Sequence, residues 1–336
     1  MATVRDIMPR FELFQPESGE EAVALLARLG AKARVLAGGF DCLEWFKDRI
    51  KRPEAVVDMS RAAELAGIRE VEGGLEIGAM TTLSEVARHP VVSSKFSLLS
   101  DAADAVASPQ IRNQATIGGN VSQDARCWYY RNGWTCYRAG GNICYADTPE
   151  GMNREHAVFE ADRCVAVNPS DTAPALVALD ARMVIRNARG MREVKARDYF
   201  VGPGFDITRM TVLGTGDLLA SIRIPAAWAG ARFYFEKVRD RAVWDFPLVN
   251  IASAAIVSGG WIERMSLALN GVAARPLRLV RVERAVRGRA PNEATAAEAG
   301  RLAIAGAQPL RQNGWKVTVV QNLVKRAVSG RGGQWT

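Results

Sequence analysis

The sequence predicts an α+β protein with more than one domain. Its 336 residues exceed the roughly 50–250 residues of a typical single domain. The first 60 residues have the pattern of a small β/α unit, whereas the last third has the pattern of several strands followed by several helices. Strands grouped before helices are typical of α+β folds. Hydrophobic residues make up 48% of the chain and charged residues 24%, which predicts a globular protein with a sizeable core.

The N-terminal unit begins with a capped helix. Ser18 and Glu21 have the spacing of a capping box, and Gly30 ends the apolar periodicity that follows. The next elements are a short strand, a glycine turn, a helix and a buried strand, at 34–36, 37–39, 40–47 and 55–58.

The middle of the chain combines regular elements with one long irregular segment. A strand ends in Gly78, Thr82 and Glu85 can cap the next helix, and another helical stretch ends before Pro109. From 121 to 167 the sequence is aromatic, Gly-rich and cysteine-bearing, without a period of 2 or 3.6, which predicts an irregular loop. A loop of this length needs something to hold it in shape.

Regular structure resumes after the loop and continues to the end of the chain. Pro225 and Gly230 mark a predicted domain boundary. Strands are predicted on both sides of this boundary, at 183–186, 218–224, 233–238, 249–257 and 267–269. Helices follow at 276–288, 294–306 and 315–328.

The net charge of +8 raises the question of a nucleic-acid partner. Lys and Arg are scattered, and the densest basic stretch, 275–289, has apolar residues at helical spacing, typical of a solvated or partner-facing helix. We therefore predict no nucleic-acid partner. Apolar runs such as 249–257 are too short to span a bilayer, and the charged N-terminus lacks the apolar stretch of a signal peptide. The predicted location is cytoplasmic, unless a partner's signal exports an assembled complex to the periplasm.

Two glycine turns share a pattern, at 37–39 and 117–120, and each follows an apolar or β-branched run. Paired glycines allow positive φ and remove Cβ, so main-chain N–H groups can converge on an anion such as a diphosphate. Neither turn has the spacing of a Rossmann or P-loop motif. Taken singly, each pair is more typical of a plain tight turn.

Four of the five cysteines lie in the irregular segment, while Cys42 lies alone near the first glycine turn. The intervals between the four are eight, seven and nineteen residues, so neither a zinc ribbon nor a ferredoxin spacing is present. Four thiolates suit either Zn²⁺ or an iron–sulfur cluster, and a set of unrelated buried thiols is the plainer alternative. A disulfide framework is not expected, because the chain is neither small nor visibly secreted.

Four motifs in a fixed order resemble one known family. LAGGFDCL at 36–43 and SPQIRNQATIGGN at 108–120 resemble the two FAD loops of the flavoprotein subunit of xanthine dehydrogenase-type molybdenum hydroxylases. NPSD at 168–171, with PALVALD at 174–180, resembles the segment that follows the second loop. FEKVRDRAVWDFPLVNIA at 235–252 resembles the first strand pair of the C-terminal domain. The resemblance covers about residues 10 to 330.

The resemblance implies a three-part fold. Two subdomains of the vanillyl-alcohol-oxidase/PCMH type, at 1–60 and 61–225, hold FAD between them, and a C-terminal domain of antiparallel sheet plus helices occupies 226–336. The residues that it assigns to FAD are Arg34, Leu36, Ala37, Gly38, Gly39, Phe40, Asp41, Cys42, Leu43, Thr116, Ile117, Gly118, Gly119, Asn120, Asp171, Leu218, Leu219 and Lys237. The first loop would line the adenine and diphosphate side, residues 116–120 would donate further hydrogen bonds to the diphosphate, and Asp171 would bind ribityl or ribose hydroxyls. Phe40 departs from the family, which usually has Thr or Ser there.

The insertion at 121–167 narrows the resemblance to family members with a [4Fe–4S] cluster. ARCWYYRNG and GGNICYA are similar to the flavin subunits of bacterial aldehyde oxidoreductase and of 4-hydroxybenzoyl-CoA reductase, and the stretch 151–159 is more similar to the aldehyde enzyme. The resemblance implies that the metal ligands are Cys127, Cys136, Cys144 and Cys164. The long interval before the last of them departs from the reductase pattern.

The predicted function is electron transfer by an oxidoreductase subunit that carries FAD and a [4Fe–4S] cluster. Neither His89 nor His156 lies in a triad context and no GxSxG motif occurs, which suits a protein whose cofactors perform the chemistry. The resemblance implies a heterotrimer with a large molybdenum-cofactor subunit and a small [2Fe–2S] subunit, an external electron acceptor, and oxidation of aldehydes or N-heteroaromatic compounds on the large subunit. The alternatives are a 4-hydroxybenzoyl-CoA reductase-like flavin subunit, a stand-alone FAD oxidase and a zinc-stabilised binding protein.

Overall fold

The computed structural model describes residues 8–330; the parts of the predicted first and last domains at 1–7 and 331–336 lie outside the described residues. Three sheets form from the strands β1 Glu12–Phe14, β2 Ala33–Leu36, β3 Ala55–Asp58, β4 Ile68–Val71, β5 Gly74–Gly78, β6 Arg182–Asn187, β7 Gly190–Lys195, β8 Leu218–Pro225, β9 Arg232–Val238, β10 Val249–Ser258, β11 Trp261–Asn270 and β12 Leu277–Arg278. The helices are α1 Gly19–Leu29, α2 Cys42–Lys47, α3 Leu83–Arg88, α4 Pro90–Lys95, α5 Ser97–Asp104, α6 Pro109–Arg112, α7 Ile117–Val121, α8 Trp128–Arg131, α9 Thr172–Ala178, α10 Ala196–Tyr199, α11 Val280–Val286, α12 Glu293–Ala303 and α13 Trp315–Ser329.

The first sheet is parallel, with the order β1-β3-β2, and α1 covers it. The Ser18 hydroxyl accepts from the Glu21 N–H at 3.1 Å, so the predicted cap begins the helix. Leu26 of α1 packs in one cluster with Val57 of β3 and Leu218 of β8. This cluster joins the first sheet to the second. The edge strand β1 was not predicted, because its three residues are largely exposed and show no alternation.

The second sheet is antiparallel, with the order β4-β5-β8-β6-β7. The predicted capping box of Thr82 and Glu85 is present at the start of α3. Helices α3, α5, α7 and α9 pack on this sheet around a core that includes Leu99 and Leu176. β4 and β7 were not predicted, since β7 is an exposed, highly charged edge strand without an apolar face. Strand β8 follows the insertion in the chain and pairs with β5, which precedes it. The second sheet therefore contains strands from both sides of the insertion.

The C-terminal sheet is antiparallel, with the order β12-β11-β10-β9, and has helices on both faces. Ala252 and Ala268 face the core of the second sheet, whereas Val320 and Leu323 of α13 cover the opposite face. The helix predicted from residue 276 begins at Val280, because 277–278 pair with β11. The predicted α+β class, with a sheet-plus-helix domain at the C-terminus, is confirmed.

Residues 121–167, here called the insert, form an irregular segment, as expected from the lack of periodicity. Its regular elements within the described chain are α8 and two single 3-10 turns, at 137–139 and 145–147. The insert contacts both the first subdomain and the C-terminal domain through side-chain hydrogen bonds described below. No helix in the described part of the chain is long and apolar enough to cross a membrane.

Candidate functional site

A cavity of about 430 Å³ lies where the two glycine turns meet, and we call it the cleft. A Cβ on Gly38 would lie 2.6 Å from the Gln114 carbonyl oxygen, and one on Gly118 would lie 2.7 Å from that of Ala79. A Cβ on Gly119 would lie 3.8 Å from the Ala37 side chain. The turns therefore approach each other and their neighbours so closely that side chains do not fit at 38 and 118. The volume suits a small-molecule site.

The first turn offers main-chain donors to the cleft. Gly39 has φ of +87°, in the left-handed region that favours glycine. Within residues 8–330, the main-chain N–H groups of Gly38, Gly39, Phe40 and Asp41 donate no hydrogen bond, and all four residues line the cleft. Successive unpaired N–H groups form a concavity that binds anions.

The second turn uses most of its donors inside the protein. The N–H of Ile117 donates to Thr81 and that of Gly118 to Ala79, both at 2.9 Å. The N–H of Gly119 contacts the Thr116 hydroxyl at 3.1 Å, an acceptor that a ligand could replace. Of the main-chain donors that were expected in this turn, the N–H of Gly119 is therefore the one that can turn to a diphosphate. The Thr116 hydroxyl lies beside it.

Asp171 lies at the cleft, but its carboxylate is committed to the protein. It accepts from Lys237 Nζ at 2.6 Å and from the Asn250 side chain at 3.1 Å. Burial raises the pKa of Asp171 to about 6, with Lys237 opposing the rise. Lys237 also donates to the carbonyl oxygens of Ala105 and Asp245, so its ammonium group ties the cleft wall to the C-terminal domain.

Most of the other predicted FAD residues line the cleft. The predicted residues on its wall are Ala37, Gly38, Gly39, Phe40, Asp41, Cys42, Thr116, Gly118, Gly119, Asn120, Asp171, Leu218 and Leu219. The predicted residues that are not on its wall are Arg34, Leu36, Leu43, Ile117 and Lys237. The Arg34 guanidinium donates to the carbonyl oxygens of Ala31 and Ala33, and Ile117 is fully buried in the core.

Sequence reasoning missed the wall contributed by the connection between β9 and β10. Trp244 and Phe246 line the cleft, and the Trp244 N–H donates to the Ala107 carbonyl at 2.9 Å. Trp244 has φ of +78°, which is strained for an aromatic residue. The guanidinium of Arg126 lies 4.5 Å from the centre of the Phe246 ring. No local pattern indicates these contacts, because the residues are far apart in the chain.

Asp41 connects the first glycine turn to the insert. Its carboxylate accepts from Arg126 at 2.8 Å, from Arg131 at 2.7 Å and from the Asp124 N–H at 2.9 Å. Asp41 was predicted as an FAD residue, yet its side chain is occupied by these contacts. The insert is therefore anchored to the same turn that lines the cleft.

A buried charge cluster forms a second anchor. Asp124 pairs with Lys51 of the first subdomain at 2.6 Å and with Arg138 of the insert, and its side chain is 4% exposed. Burial alone would raise the pKa of Asp124, but Arg138 and Lys51 outweigh it and hold the pKa well below its ordinary range. Removing one member of such a cluster leaves an uncompensated buried charge.

The fold brings the four thiols of the insert near one another. Cys127 and Cys164 pack against one small apolar cluster, and Cys127 and Cys144 pack against another. Burial raises the pKa of Cys127 to about 12, and the neighbouring Cys164 and Cys144 add to the rise. Burial also raises the pKa of Cys164, to which the charges of Cys144 and Cys136 contribute. All five cysteines are free.

The described coordinates contain no ready-made ligand set for a single metal ion. Across residues 8–330, no three His, Cys, Asp or Glu side chains form a group that could hold one. The metal centre in the insert therefore stays a prediction. Aromatic rings lie beside the thiols, with Trp134 4.7 Å from Tyr145 and 5.2 Å from Tyr129 between ring centres. Trp128 and Trp134 are about half exposed, so they shield the segment only in part.

His156 was not assigned a role from the sequence, yet it contacts a predicted ligand. Its Nε2 lies 3.3 Å from Cys127 Sγ, and its ring is buried. Burial, with Lys316 nearby, lowers the pKa of His156 to about 4. The two residues are 29 positions apart, and nothing in the local sequence pairs them.

The chain belongs to the FAD-binding subunit family of the xanthine dehydrogenase and CO dehydrogenase type of molybdenum hydroxylases. Residues 9–227 match the family described as FAD binding domain in molybdopterin dehydrogenase, and residues 233–330 match the CO dehydrogenase flavoprotein C-terminal domain. The predicted family membership, FAD binding and oxidoreductase class are thereby confirmed. The domain boundaries stay predictions.

Particular relatives agree with this assignment. The chain is 31% identical to the carbon monoxide dehydrogenase medium chain of Hydrogenophaga pseudoflava, over 96% of this chain and 97% of that one. It is 36% identical to the aldehyde oxidoreductase FAD-binding subunit of Escherichia coli, over 76% of this chain and 80% of that one. A solved carbon monoxide dehydrogenase structure from H. pseudoflava superposes with a TM-score of 0.77 at 30% identity, covering 98% of this chain and 99% of the other.

Proposed function

We propose that this chain is the electron-transfer subunit of a heteromeric molybdenum hydroxylase-type oxidoreductase and carries a [4Fe–4S] cluster in addition to FAD. The observation that carries the proposal is that one ion-pair network joins the cleft wall to the segment that holds four free thiols. Asp41 belongs to the cleft wall and also anchors the insert through Arg126 and Arg131. Two redox groups held by one charge network could exchange electrons over a short distance.

The FAD part of the proposal rests on the chemistry of the cleft wall. The unpaired N–H groups of 38–41 would hold the diphosphate, and the Thr116 hydroxyl with the Gly119 N–H would add donors from the opposite turn. Apolar side chains such as Leu218, Leu219 and Phe246 would exclude water from the flavin ring. When bound, FAD supplies the redox chemistry.

The cluster part rests on the donor set. Four Cys thiolates are the ligands that [4Fe–4S] clusters use, and Cys127, Cys136, Cys144 and Cys164 are free thiols that influence one another electrostatically. Burial raises the pKa of Cys164 and the buried Arg138 guanidinium opposes that rise, so Arg138 would help to stabilise the thiolate form that ligation requires. Cys164 interacts electrostatically with Cys127, Cys136 and Cys144, which supports it as the fourth ligand.

The proposed partners are a large molybdenum-cofactor subunit and a small [2Fe–2S] subunit. Electrons would arrive from the small subunit, and FAD would pass them to an external acceptor. Among the possible substrates of the large subunit we favour aldehydes, because the identity to the aldehyde oxidoreductase subunit is 36%. Electron flow in the reverse direction, as in a 4-hydroxybenzoyl-CoA reductase-like enzyme, is the alternative. The compartment of the complex belongs to the same proposal: cytoplasm, or periplasm through a partner's signal.

Flavin and iron analysis of the anaerobically purified chain tests the cofactor proposal. We expect one FAD and four iron atoms per chain in the wild type, and loss of the iron with retained FAD in Cys164→Ser. Cys42→Ser is the matched control, because Cys42 lies in the first FAD loop outside the insert; it should keep its iron. Zinc in place of iron, or iron unaffected by Cys164→Ser, would contradict the cluster assignment.

Affinity purification of the tagged chain from its native host tests the partner proposal. Two additional polypeptides, one with molybdenum and one with a [2Fe–2S] electron paramagnetic resonance spectrum, are expected. A chain that purifies alone and oxidises a substrate directly would instead be a stand-alone FAD oxidase.

A further inference from the structure

We infer that His156 is a positioning residue for the iron–sulfur cluster, donating a hydrogen bond from Nε2 to the sulfur of Cys127 and thereby raising the reduction potential of the cluster. The inference rests on the proposed function, since it assumes that Cys127 ligates iron. It concerns a side chain that the cluster proposal itself does not use.

The geometry identifies His156 as a donor. Its Nε2 lies 3.3 Å from Cys127 Sγ, within hydrogen-bonding range for sulfur. A ligating cysteine is a thiolate, which only accepts hydrogen bonds, so the ring nitrogen that faces it must carry the proton. The opposite nitrogen, Nδ1, is buried without a hydrogen-bond partner in the described structure. With the proton on Nε2, Nδ1 is the acceptor nitrogen and the one ring N–H group has a partner, which also favours this tautomer.

The start of α13 holds this histidine in place. The Asn313 side chain donates to the carbonyl oxygens of His156 and Ala157, at 3.0 and 3.1 Å. Lys316, whose side chain is fully buried, donates to the carbonyl oxygens of Glu155 and Gly271, both at 2.7 Å. These hydrogen bonds hold the main chain of residues 155–157, from which the ring of His156 reaches the sulfur of Cys127.

Such a contact changes the redox properties of a cluster. Reduction adds negative charge that is shared by the ligand sulfurs, and an N–H group directed at one of them stabilises the reduced state more than the oxidised state. The donor therefore raises the potential, and its loss lowers it. Arg138 acts near Cys164 as a charge, whereas His156 acts at Cys127 as a directed hydrogen bond.

Two variants of His156 test the inference in the purified full-length chain. Redox titration followed by electron paramagnetic resonance should give a lower midpoint potential for His156→Leu than for wild type. His156→Gln, whose amide can donate from a similar position, should restore most of the difference. His89→Gln is the matched control, because His89 is the other histidine of the chain and lies at the start of α4, away from the insert. Equal potentials in all four proteins would overturn the inference.

Isotope labelling gives a second readout that needs no variant at His156. Pulsed electron paramagnetic resonance of the reduced cluster should detect coupling to nitrogen in protein labelled with ¹⁵N-histidine, and the coupling should persist in His89→Gln. Its absence in a chain with a full complement of iron would exclude the hydrogen bond, even if His156→Leu loses the cluster. A wild-type chain without an iron–sulfur signal would refute the proposed function instead, so the two failures are distinguishable.

Discussion

The cleft and the insert use different parts of the polypeptide for their chemistry. In the cleft, the main chain supplies the binding groups. Glycines at 38 and 118 let backbone segments approach, Gly39 adopts a positive φ, and the free donors are N–H groups. In the insert, side chains supply both the four thiols and the charges of the ion pairs that anchor the segment. The two regions should therefore differ in which substitutions damage them and how.

Removing the charge of Asp124 should have the largest effect, and on the insert. Asp124→Asn leaves Lys51 and Arg138 buried without compensation, which costs about 3–5 kcal/mol of unfolding free energy. Urea unfolding measures this loss, and the insert should lose its iron more readily than the cleft loses FAD. Asp104→Asn, which removes the exposed carboxylate that pairs with Arg112, should cost less than about 1 kcal/mol. Equal losses for the two variants would contradict the role of the buried cluster.

The lowered pKa of Asp124 also predicts how the stability of the folded chain depends on pH. The pKa of Asp124 is lowered in the folded chain, so its stabilising contribution is present above the unfolded pKa of about 3.9 and is lost as the pH falls below that value. Wild-type stability should drop between about pH 4 and the acid limit of folding by more than that of Asp124→Asn. A parallel decline in the two proteins would show that another group is responsible.

Adding one methyl group to the second glycine turn should weaken FAD binding at the cleft without changing the iron content of the insert. In Gly118→Ala the new Cβ would lie 2.7 Å from the main-chain oxygen of Ala79, so the second turn must move. Overpacking of this kind costs about 1–3 kcal/mol, which is roughly 5- to 150-fold in FAD affinity if it falls on the bound state. Gly202→Ala is the control, since Gly202 is not on the cleft wall and its added Cβ would meet no atom within 4 Å outside its chain neighbours. Flavin titration should separate the two variants, with iron unchanged in both.

Asp41→Asn should have a smaller effect, but on both the cleft and the insert. Asp41 lines the cleft and also pairs with two arginines of the insert. Loss of the charge-assisted contacts to Arg126 and Arg131 should cost about 1–2 kcal/mol. FAD and iron content should fall together in this variant. Glu44→Gln, which removes the exposed second partner of Arg126, should leave both unchanged. A loss of one cofactor alone would mean that the regions are independent.

The elements that were predicted well are those with a local cause. Capping of α1 and α3, the strands β2, β3 and β8, and the α+β order follow from caps, apolar periodicity and turns within a short window of sequence. The strands that were missed, β1, β4, β7 and β12, are short or exposed strands at the edges of their sheets. The glycine turns were likewise visible, because a backbone-built site needs particular residues at consecutive positions.

The sequence by itself determined the family, the FAD-binding class, the irregular insert and the grouping of the cysteines. Each of these depends on the residue types and spacing within one short segment or a few short motifs. The tertiary structure alone decided what those residues meet. It assigned the side chain of Asp41 to Arg126 and Arg131, consumed the donors of Ile117 and Gly118 within the fold, and brought His156 to Cys127. The physical reason is that hydrogen bonds and ion pairs depend on distances in space, which segments far apart in the chain acquire only when the sheets pack.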